Sequence, residues 1–161
     1  MEFKGKKGIV GVTGEYFVAA ELSQRGIVAT LTLKNTPSID ILATNLDKDK
    51  YANIQVKTMS FTNNSGWRLG KKDEEISKIK NHYYVFVNLK EIGNLPEYII
   101  VPQKNLAVFI KKVHNAWMMG TKKDGTARKD TDIRVFDAYI NARTKKFAKK
   151  YINNWEILDL W

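Results

Sequence analysis

Apolar and polar positions alternate with two different periods along the chain, and these periods predict where helices and strands lie. In residues 13–25, TGEYFVAAELSQR, Val18, Ala19 and Leu22 recur at helical spacing and share one face. Residues 51–59, YANIQVKTM, alternate instead with the period of two that is typical of a strand. The nearly continuous apolar run YYVFVNL, residues 83–89, is typical of a strand buried on both faces.

Taken together, the predicted elements describe an α/β or α+β fold. Thr13 and Gly26 are residues expected to cap the two ends of the first helix, and residues 1–12 are predicted to form a mobile or loosely docked arm. Residues 60–72 and 118–132 are predicted to be loops. Strands are predicted at residues 27–33, 38–44, 51–59, 83–89, 97–101 and 133–136, and helices at residues 13–25, 73–80, 103–117 and 137–153. The order α-β-β-β-α-β, followed by mixed elements, indicates one domain over residues 1–161, with a core at about 13–101 and a basic extension at about 102–161.

Net charge is the bulk property that most restricts the range of possible binding partners. The chain has 27 Lys and Arg against 17 Asp and Glu, a formal net charge of +10. This excess favours nucleic acid as a partner first and an anionic membrane surface second, while a protein that is merely basic is the alternative. No apolar run approaches the roughly 20 residues that span a bilayer, and no signal-peptide pattern is present, so we expect a cytoplasmic protein. The chain has no cysteine, which excludes disulfides, a thiol nucleophile and Cys-based zinc sites.

Two carboxylates interrupt the apolar patterns. Glu15 lies at the head of the apolar stripe of the first helix, where a first-turn glutamate could simply interact with the helix N-terminus. Asp40 lies between Ile39 and Ile41 in a predicted strand, although aspartate is depleted in strands and costly to bury unpaired. A solvent-facing position on an edge strand, or a turn cap near Pro37, is the alternative for Asp40.

The next strand carries two further polar side chains on one face. Gln55 and Lys57 project together, about 7 Å apart along the strand. The short connection NLDKDK makes this strand an antiparallel neighbour of the Asp40 strand, so one face of the hairpin could gather Asp40, Gln55 and Lys57. Glu15 joins them if its helix packs over that face, and an amphipathic hairpin with a wet polar face is the alternative. Carboxylate and amide oxygens suit Mg²⁺, and a metal beside a lysine suits phosphodiester hydrolysis.

These residues resemble the core of the PD-(D/E)XK nuclease superfamily. The resemblance rests on Glu15 in a helix, Asp40 in SIDIL and Gln55-Val56-Lys57 in IQVKT, and it is strongest over about residues 13–58. The sequence is similar to the Holliday-junction-resolvase-like and small homing-endonuclease-like branches. The resemblance implies a restriction-endonuclease-like αβββαβ core with a central mixed sheet flanked by helices. It also implies an endonuclease that uses Mg²⁺, with Mn²⁺ as a substitute, to hydrolyse DNA.

The resemblance also assigns a role to each position. Glu15 would help to bind the metal or its water, and Asp40 would be the central metal ligand. Gln55 occupies the second acidic position, Val56 would contribute its backbone carbonyl to the metal, and Lys57 would be the catalytic lysine. Because cutting both strands usually takes two active sites, a homodimer or higher homo-oligomer is expected.

The sequence differs from the family pattern at two places. Pro37 lies three positions before Asp40, where the family has an adjacent Pro-Asp. Gln55 is an amide where a carboxylate is expected, which should weaken cation binding or favour one-metal chemistry. Gln55 therefore leaves open a catalytically weak or inactive DNA-binding module on the same fold. A third hypothesis is a protein-interaction domain that uses residues 153–161, NNWEILDLW, as an apolar docking segment.

Basic and aromatic residues outside this set are candidates for DNA contact. Trp67 could stack on a base or pack locally. His82 and His114 have no metal-ligand partner at a recognisable spacing, so both are predicted to be structural. The basic candidates are Arg68, Lys71, Lys72, Lys122, Lys123, Arg128, Lys129, Lys145, Lys146, Lys149 and Lys150.

Overall fold

The computed structural model describes residues 7–33, 37–63 and 65–161, which form three helices and seven strands. The elements are α1 (Lys7–Gln24), β1 (Val28–Leu31), β2 (Ile41–Thr44), β3 (Tyr51–Met59), β4 (Trp67–Gly70), β5 (His82–Asn88), β6 (Glu97–Pro102), α2 (Gln103–Met118), β7 (Ile133–Phe136) and α3 (Ala142–Ala148). Short 3₁₀ turns occupy Lys71–Glu74, Lys149–Tyr151 and Trp155–Leu158. Within the described residues, no helix is long and apolar enough to cross a membrane.

Five of the strands form one mixed sheet in the order β1-β2-β3-β5-β6. The central pair, β3 and β5, is parallel, and the other neighbouring pairs are antiparallel. Strands β4 and β7 pair separately as a two-stranded antiparallel sheet. The predicted α+β fold with a central mixed sheet flanked by helices is confirmed.

The two faces of the sheet bury different sets of side chains. On one face, Val18 and Leu22 of α1 pack in a cluster with Ile54 and Val56 of β3. The other face forms a second cluster in which α2, β7 and α3 cover β5 and β6. Period-two alternation along β3 therefore sends successive side chains into different layers.

The C-terminal segment completes the first of these clusters. Trp155, Leu158 and Leu160 are all buried against the α1 side of the sheet. Trp161 is 44% exposed, and its indole N–H donates to the Arg25 carbonyl at 3.3 Å. Three of the large apolar side chains in residues 153–161 are therefore part of the core, which argues against the hypothesis that this stretch is an apolar docking segment.

Helix α1 begins earlier than the sequence predicted. It starts at Lys7, so residues 7–12 are helical, while residues 1–6 of the predicted arm lie outside the described residues. Thr13 is not a cap, because its hydroxyl donates to the Ile9 carbonyl at 2.8 Å within the helix. Gly26 does end the helix: it has a φ of +80°, and the Ile27 N–H donates back to the Leu22 carbonyl at 3.0 Å.

The connection between β3 and β5 also differs from the prediction. The predicted loop at residues 60–72 contains β4, and the predicted helix at residues 73–80 is reduced to the 3₁₀ turn Lys71–Glu74. Tertiary contacts hold this turn, since buried Arg134 of β7 pairs with Glu74 at 2.7 Å. The predicted helix at residues 137–153 is likewise shorter. Asp137 accepts from the Ile140 N–H at 3.0 Å in a turn before α3 begins.

Candidate active site

Strands β2 and β3 separate at Asp40. Their last paired residues are Ile41 and Ile54, and the Asp40 N–H donates to the Ile54 carbonyl at 2.8 Å. Beyond this point the Asp40 carboxylate replaces a backbone carbonyl as the hydrogen-bond acceptor, because its Oδ2 accepts from the Val56 N–H at 2.7 Å. Thus β2 starts three residues later than the predicted strand at residues 38–44, and Asp40 stands at the opening between the two strands.

Asp40 shares one face of the sheet with Gln55 and Lys57. Ile41 and Ile54 are buried on the α1 face, so Asp40 and Gln55, which alternate with them, lie on the opposite face. Burial and the nearby Asp73 raise the pKa of the Tyr84 hydroxyl, and the negative charge of Asp40 contributes a smaller part of the same shift. Strand alternation therefore places three of the four predicted catalytic residues on one face of the sheet.

Gln55 contains a buried acceptor without a partner. The side chain is only 8% exposed, and no described residue donates a hydrogen bond to its Oε1. A buried polar atom left unpaired costs about 1–3 kcal/mol, so native proteins rarely retain one without a reason. A cation beside Oε1 would remove this cost.

The Val56 carbonyl points toward the same opening. The N–H and C=O of one residue in a strand lie on the same side of the strand, and the Val56 N–H faces Asp40. The carboxylate of Asp40, the amide oxygen of Gln55 and the carbonyl of Val56 thus adjoin the point where β2 and β3 part. Three hard oxygen donors match the coordination chemistry of Mg²⁺ and Mn²⁺.

Glu15 approaches this region from the other face of the sheet. Its helix does not pack over the face of Gln55 and Lys57, which was the condition for Glu15 to join them, because α1 packs against Ile54. Gly14, however, lies directly against Thr58, one residue after Lys57. Glu15 is therefore near the C-terminal end of β3, in the part of the strand that continues beyond its last pair with β2. The Glu15 side chain is partly buried there.

The number of carboxylates at the site is small. Among residues 7–33, 37–63 and 65–161, no three His, Asp or Glu side chains converge closely enough to hold a metal ion. A role for Glu15 as a further carboxylate ligand stays a prediction. The site that the described residues form has one carboxylate, one amide and one backbone carbonyl, with Lys57 beside them.

A buried hydrogen-bond network lies next to Gln55. Tyr84 of β5 is directly opposite Gln55 in the sheet, and its hydroxyl donates to Asp73 Oδ1 at 2.7 Å. Asp73 is 5% exposed, and its Oδ2 accepts from the Gly70 N–H at 2.7 Å. Neither residue was predicted from the sequence to lie near the site. The alternation of YYVFVNL could have placed Tyr84 on the Gln55 face, but no local pattern indicates Asp73.

His82 supports the loop that leads to Asp40. Its Nε2 lies 3.1 Å from the Ser38 carbonyl, and its ring centroid lies 5.6 Å from that of Tyr84. Burial lowers the pKa of His82, so the imidazole is neutral at pH 7 and we assign Nε2–H as the donor. Ser38 itself has a φ of +61°, a conformation that few residues other than glycine adopt. The prediction that His82 is structural fits these contacts.

The candidate DNA-contact residues fall into two groups. Trp67 is 2% exposed and packs on Phe86, so the prediction that it contacts a base is wrong. Arg128 lies over the Trp117 ring at 4.8 Å, and Lys71 pairs with Asp130 at 3.0 Å, so both are engaged within the molecule. The exposed candidates are Arg68, Lys72, Lys122, Lys123, Lys129, Lys145, Lys146, Lys149 and Lys150.

Comparison with known proteins gives little further information. No family model matches the chain, and no curated protein matches it. A solved structure described as "Crystal Structure of MepB" is similar to this chain, with 13% sequence identity and a TM-score of 0.37. The similarity covers 86% of this chain and 93% of the MepB chain. A similarity at this level carries no argument about fold or function.

Proposed function

We propose that this protein is a Mg²⁺-dependent endonuclease that hydrolyses DNA phosphodiester bonds at a PD-(D/E)XK-type site with Gln55 in the second acidic position. The observation that carries the proposal is the unpartnered, buried Oε1 of Gln55 on the same face as Asp40 and Lys57. A cation bound between this buried acceptor and the Asp40 carboxylate would interact favourably with both. The net charge of +10 suits a polyanionic substrate.

Each residue at the site has a defined task in this proposal. Asp40, Gln55 and the Val56 carbonyl would hold one Mg²⁺ or Mn²⁺, and Glu15 would help to bind it or its water. When bound, such an ion polarises a phosphoryl oxygen and lowers the pKa of a coordinated water. Lys57 would stabilise negative charge that develops on the phosphate, or would orient the attacking water.

The direct test is DNA cleavage by matched variants. Supercoiled, linear, single-stranded and branched DNA would be incubated with the protein and Mg²⁺, Mn²⁺ or EDTA. Asp40→Asn keeps an acceptor for the Val56 N–H but removes the charge, and Lys57→Met removes the cation. We expect each variant to lose at least about 100-fold in rate. Lys78→Met, at an exposed lysine, is the matched control and should cut as the wild type does.

Two results would overturn the enzyme proposal. One is the absence of metal-dependent cutting on all four DNA forms. The other is cutting by Asp40→Asn and Lys57→Met at the wild-type rate.

A catalytically inactive DNA-binding module on the same fold is the second candidate. It is favoured by the amide at Gln55 and by the lack, among the described residues, of three acidic or histidine side chains around one point. This candidate predicts salt-sensitive DNA binding that survives Asp40→Asn and does not depend on metal. Metal-dependent cleavage that is lost in Asp40→Asn would exclude it.

The proposed function carries two expectations about the whole protein. It would act in the cytoplasm, and it would cut duplex DNA as a homodimer or higher homo-oligomer, since cutting both strands usually takes two active sites. Sedimentation with and without duplex DNA would measure the oligomeric state.

A further inference from the structure

Helix α3 and the turn after it carry a concentrated positive charge. The segment ARTKKFAKK, residues 142–150, contains five basic residues and no acidic one. All five are exposed. We call them the α3 basic surface: Arg143, Lys145, Lys146, Lys149 and Lys150.

The packing of α3 fixes these side chains on its outer side. At about 100° per residue along α3 and about 120° along the 3₁₀ turn that holds Lys149 and Lys150, the five basic positions fall within an arc of about 180°. The opposite arc packs in the core: Ala148 and Tyr151 are buried, and the Phe147 ring stacks on Phe109 with centroids 3.9 Å apart. The basic side chains therefore cannot rotate inward as a group without breaking this packing.

The charge of this surface is not neutralised by nearby acids. Within the part of the chain that the structure describes, none of the five residues has an Asp or Glu oxygen within 4.0 Å. Other basic residues do have such partners, as Lys71 has in Asp130 and Arg134 has in Glu74. The α3 basic surface thus leaves its positive charge available to an external anion.

The sheet register places this surface level with the candidate site. Ile152, which follows the 3₁₀ turn after α3, forms a β-bridge with Ile99 of β6. Ile99 is paired with Phe86 of β5, and Phe86 is paired with Lys57 of β3. Three strand spacings separate Ile152 from Lys57, roughly 14 Å. Helix α3 also packs on the same face of the sheet as Lys57 and Gln55. A duplex bound at one of these places could therefore contact the other.

We propose that the α3 basic surface binds the phosphate backbone of DNA and anchors the substrate beside the candidate active site. This inference rests on the proposed function for its choice of DNA. The apolar side of α3 is already buried in the core, so it has no apolar face to insert into a bilayer, as an interfacial helix requires. Cations on successive turns of an exposed surface suit a repeating phosphate backbone instead.

The test compares two triple variants that lose the same charge. The first is Lys146→Gln/Lys149→Gln/Lys150→Gln on the α3 basic surface. The matched control is Lys104→Gln/Lys111→Gln/Lys112→Gln on α2, where Lys111 and Lys112 lie beside Glu74 and Glu75. All six lysines are exposed, so both variants should unfold at the wild-type denaturant midpoint. Binding of a labelled duplex would be followed by fluorescence anisotropy in EDTA across a range of salt concentrations.

We expect the α3 variant to bind the duplex at least about tenfold more weakly at moderate salt. The plot of log K against log salt concentration has a negative slope, and its magnitude should decrease by about 2–3 in this variant. Each lost phosphate contact lowers that magnitude by about 0.9. The control variant should stay within about twofold of the wild type. Equal losses in both variants, or none in either, would overturn the proposal. The proposal would also be overturned if these lysines were needed for binding to phosphatidylserine vesicles but not for binding to DNA.

The experiment separates this inference from the proposed function because it requires no cleavage. If the α3 variant binds weakly while the wild type cuts no DNA, the anchoring surface stands and the endonuclease proposal fails. If the α3 variant binds as the wild type does while Asp40→Asn abolishes cutting, the anchoring proposal fails and the endonuclease stands.

Discussion

Asp40 and Gln55 lie side by side, yet their polar atoms are satisfied in opposite ways. One oxygen of Asp40 replaces a backbone partner for Val56, so this carboxylate contributes to the end of the β2–β3 ladder as well as to the candidate site. The Oε1 of Gln55 is buried and has no partner among the described residues. Asp40 therefore has a structural role of its own, while a bound cation would satisfy the Oε1 of Gln55. Among the described residues, His82 Nδ1 and the Tyr98 hydroxyl are buried without a partner in the same way.

Replacing Gln55 with glutamate should make stability depend on metal. In EDTA, Gln55→Glu buries a second carboxylate near Asp40 and should lower the free energy of unfolding by about 1–3 kcal/mol. Excess Mn²⁺ should restore it, by about 2.7 kcal/mol at a hundredfold excess over Kd. Urea unfolding in EDTA and in MnCl₂ measures both values.

Gln103→Glu provides the matched control for this prediction. Gln103 is also a buried amide, but both ends of it are paired, with the Ser77 N–H at 2.9 Å and the Glu75 carbonyl at 2.7 Å. Gln103→Glu should be destabilised equally with and without Mn²⁺. If Gln55→Glu behaves in the same way as Gln103→Glu, the proposed cation does not bind at Gln55.

His82 predicts a pH dependence of stability. Burial lowers the pKa of His82 below its ordinary value near 6.5, so as the pH falls the unfolded chain takes up this proton before the folded chain does. The contribution of His82 is therefore complete above about pH 6.5 and declines below it, with a slope of at most about 1.4 kcal/mol per pH unit. Denaturant unfolding between pH 7.5 and 5.5 measures this slope.

His82→Gln should unfold with a smaller pH slope than the wild type over the same range. This window lies above the titration of carboxylates such as Glu74, whose pKa is lowered by its hydrogen bond with Arg134. Identical slopes in the two proteins would mean that His82 is not the group responsible.

At the level of elements, the close approach of α1 to β3 depends on one glycine. A Cβ built on Gly14 would lie 1.9 Å from Thr58 Oγ1 and 2.9 Å from Thr58 Cβ. No rotamer of Thr58 moves its own Cβ away, so a side chain at position 14 would force the helix from the strand. This contact also sets where Glu15 lies relative to the end of β3.

Gly14→Ala should lower the free energy of unfolding by about 1–3 kcal/mol because the added methyl group overpacks the α1–β3 contact. Gly11→Ala is the control, because a Cβ at Gly11 meets no atom within 4 Å. That substitution should raise stability by about 0.5–1 kcal/mol through helix propensity alone. Equal stability of the two variants would contradict the close helix–strand contact.

Most of the elements that the sequence predicted well have a long, regular pattern, and the short strand β7 is the exception. Strand β3 has the predicted bounds, and β5, β6 and α2 differ from prediction by one residue or two. Strand β4 was missed because its pairing with β7 joins residues more than 60 positions apart, which no local pattern shows. The predicted helix at residues 73–80 failed because Asp73 and Glu74 are held by Tyr84 and Arg134.

At the level of the whole molecule, the sequence predicted the shared face of Asp40, Gln55 and Lys57 because strand alternation and a short connection are local properties. It did not predict the face on which α1 packs, since this depends on how the whole chain covers the sheet. For the same reason the sequence left open whether Trp67 contacts DNA or packs locally. Its indole fits between Phe86, Phe136 and Tyr139, each of which lies at least 19 positions from Trp67 in the chain.

The central claim is that one divalent cation binds where β2 and β3 separate. An anomalous difference map from crystals soaked in Mn²⁺ tests it most directly. The account predicts a peak at about 2.0–2.3 Å from the Asp40 carboxylate, the Gln55 Oε1 and the Val56 carbonyl, and no such peak in Asp40→Asn crystals. A map with no peak at this position in the wild-type protein, at Mn²⁺ concentrations that support DNA cleavage, would contradict it.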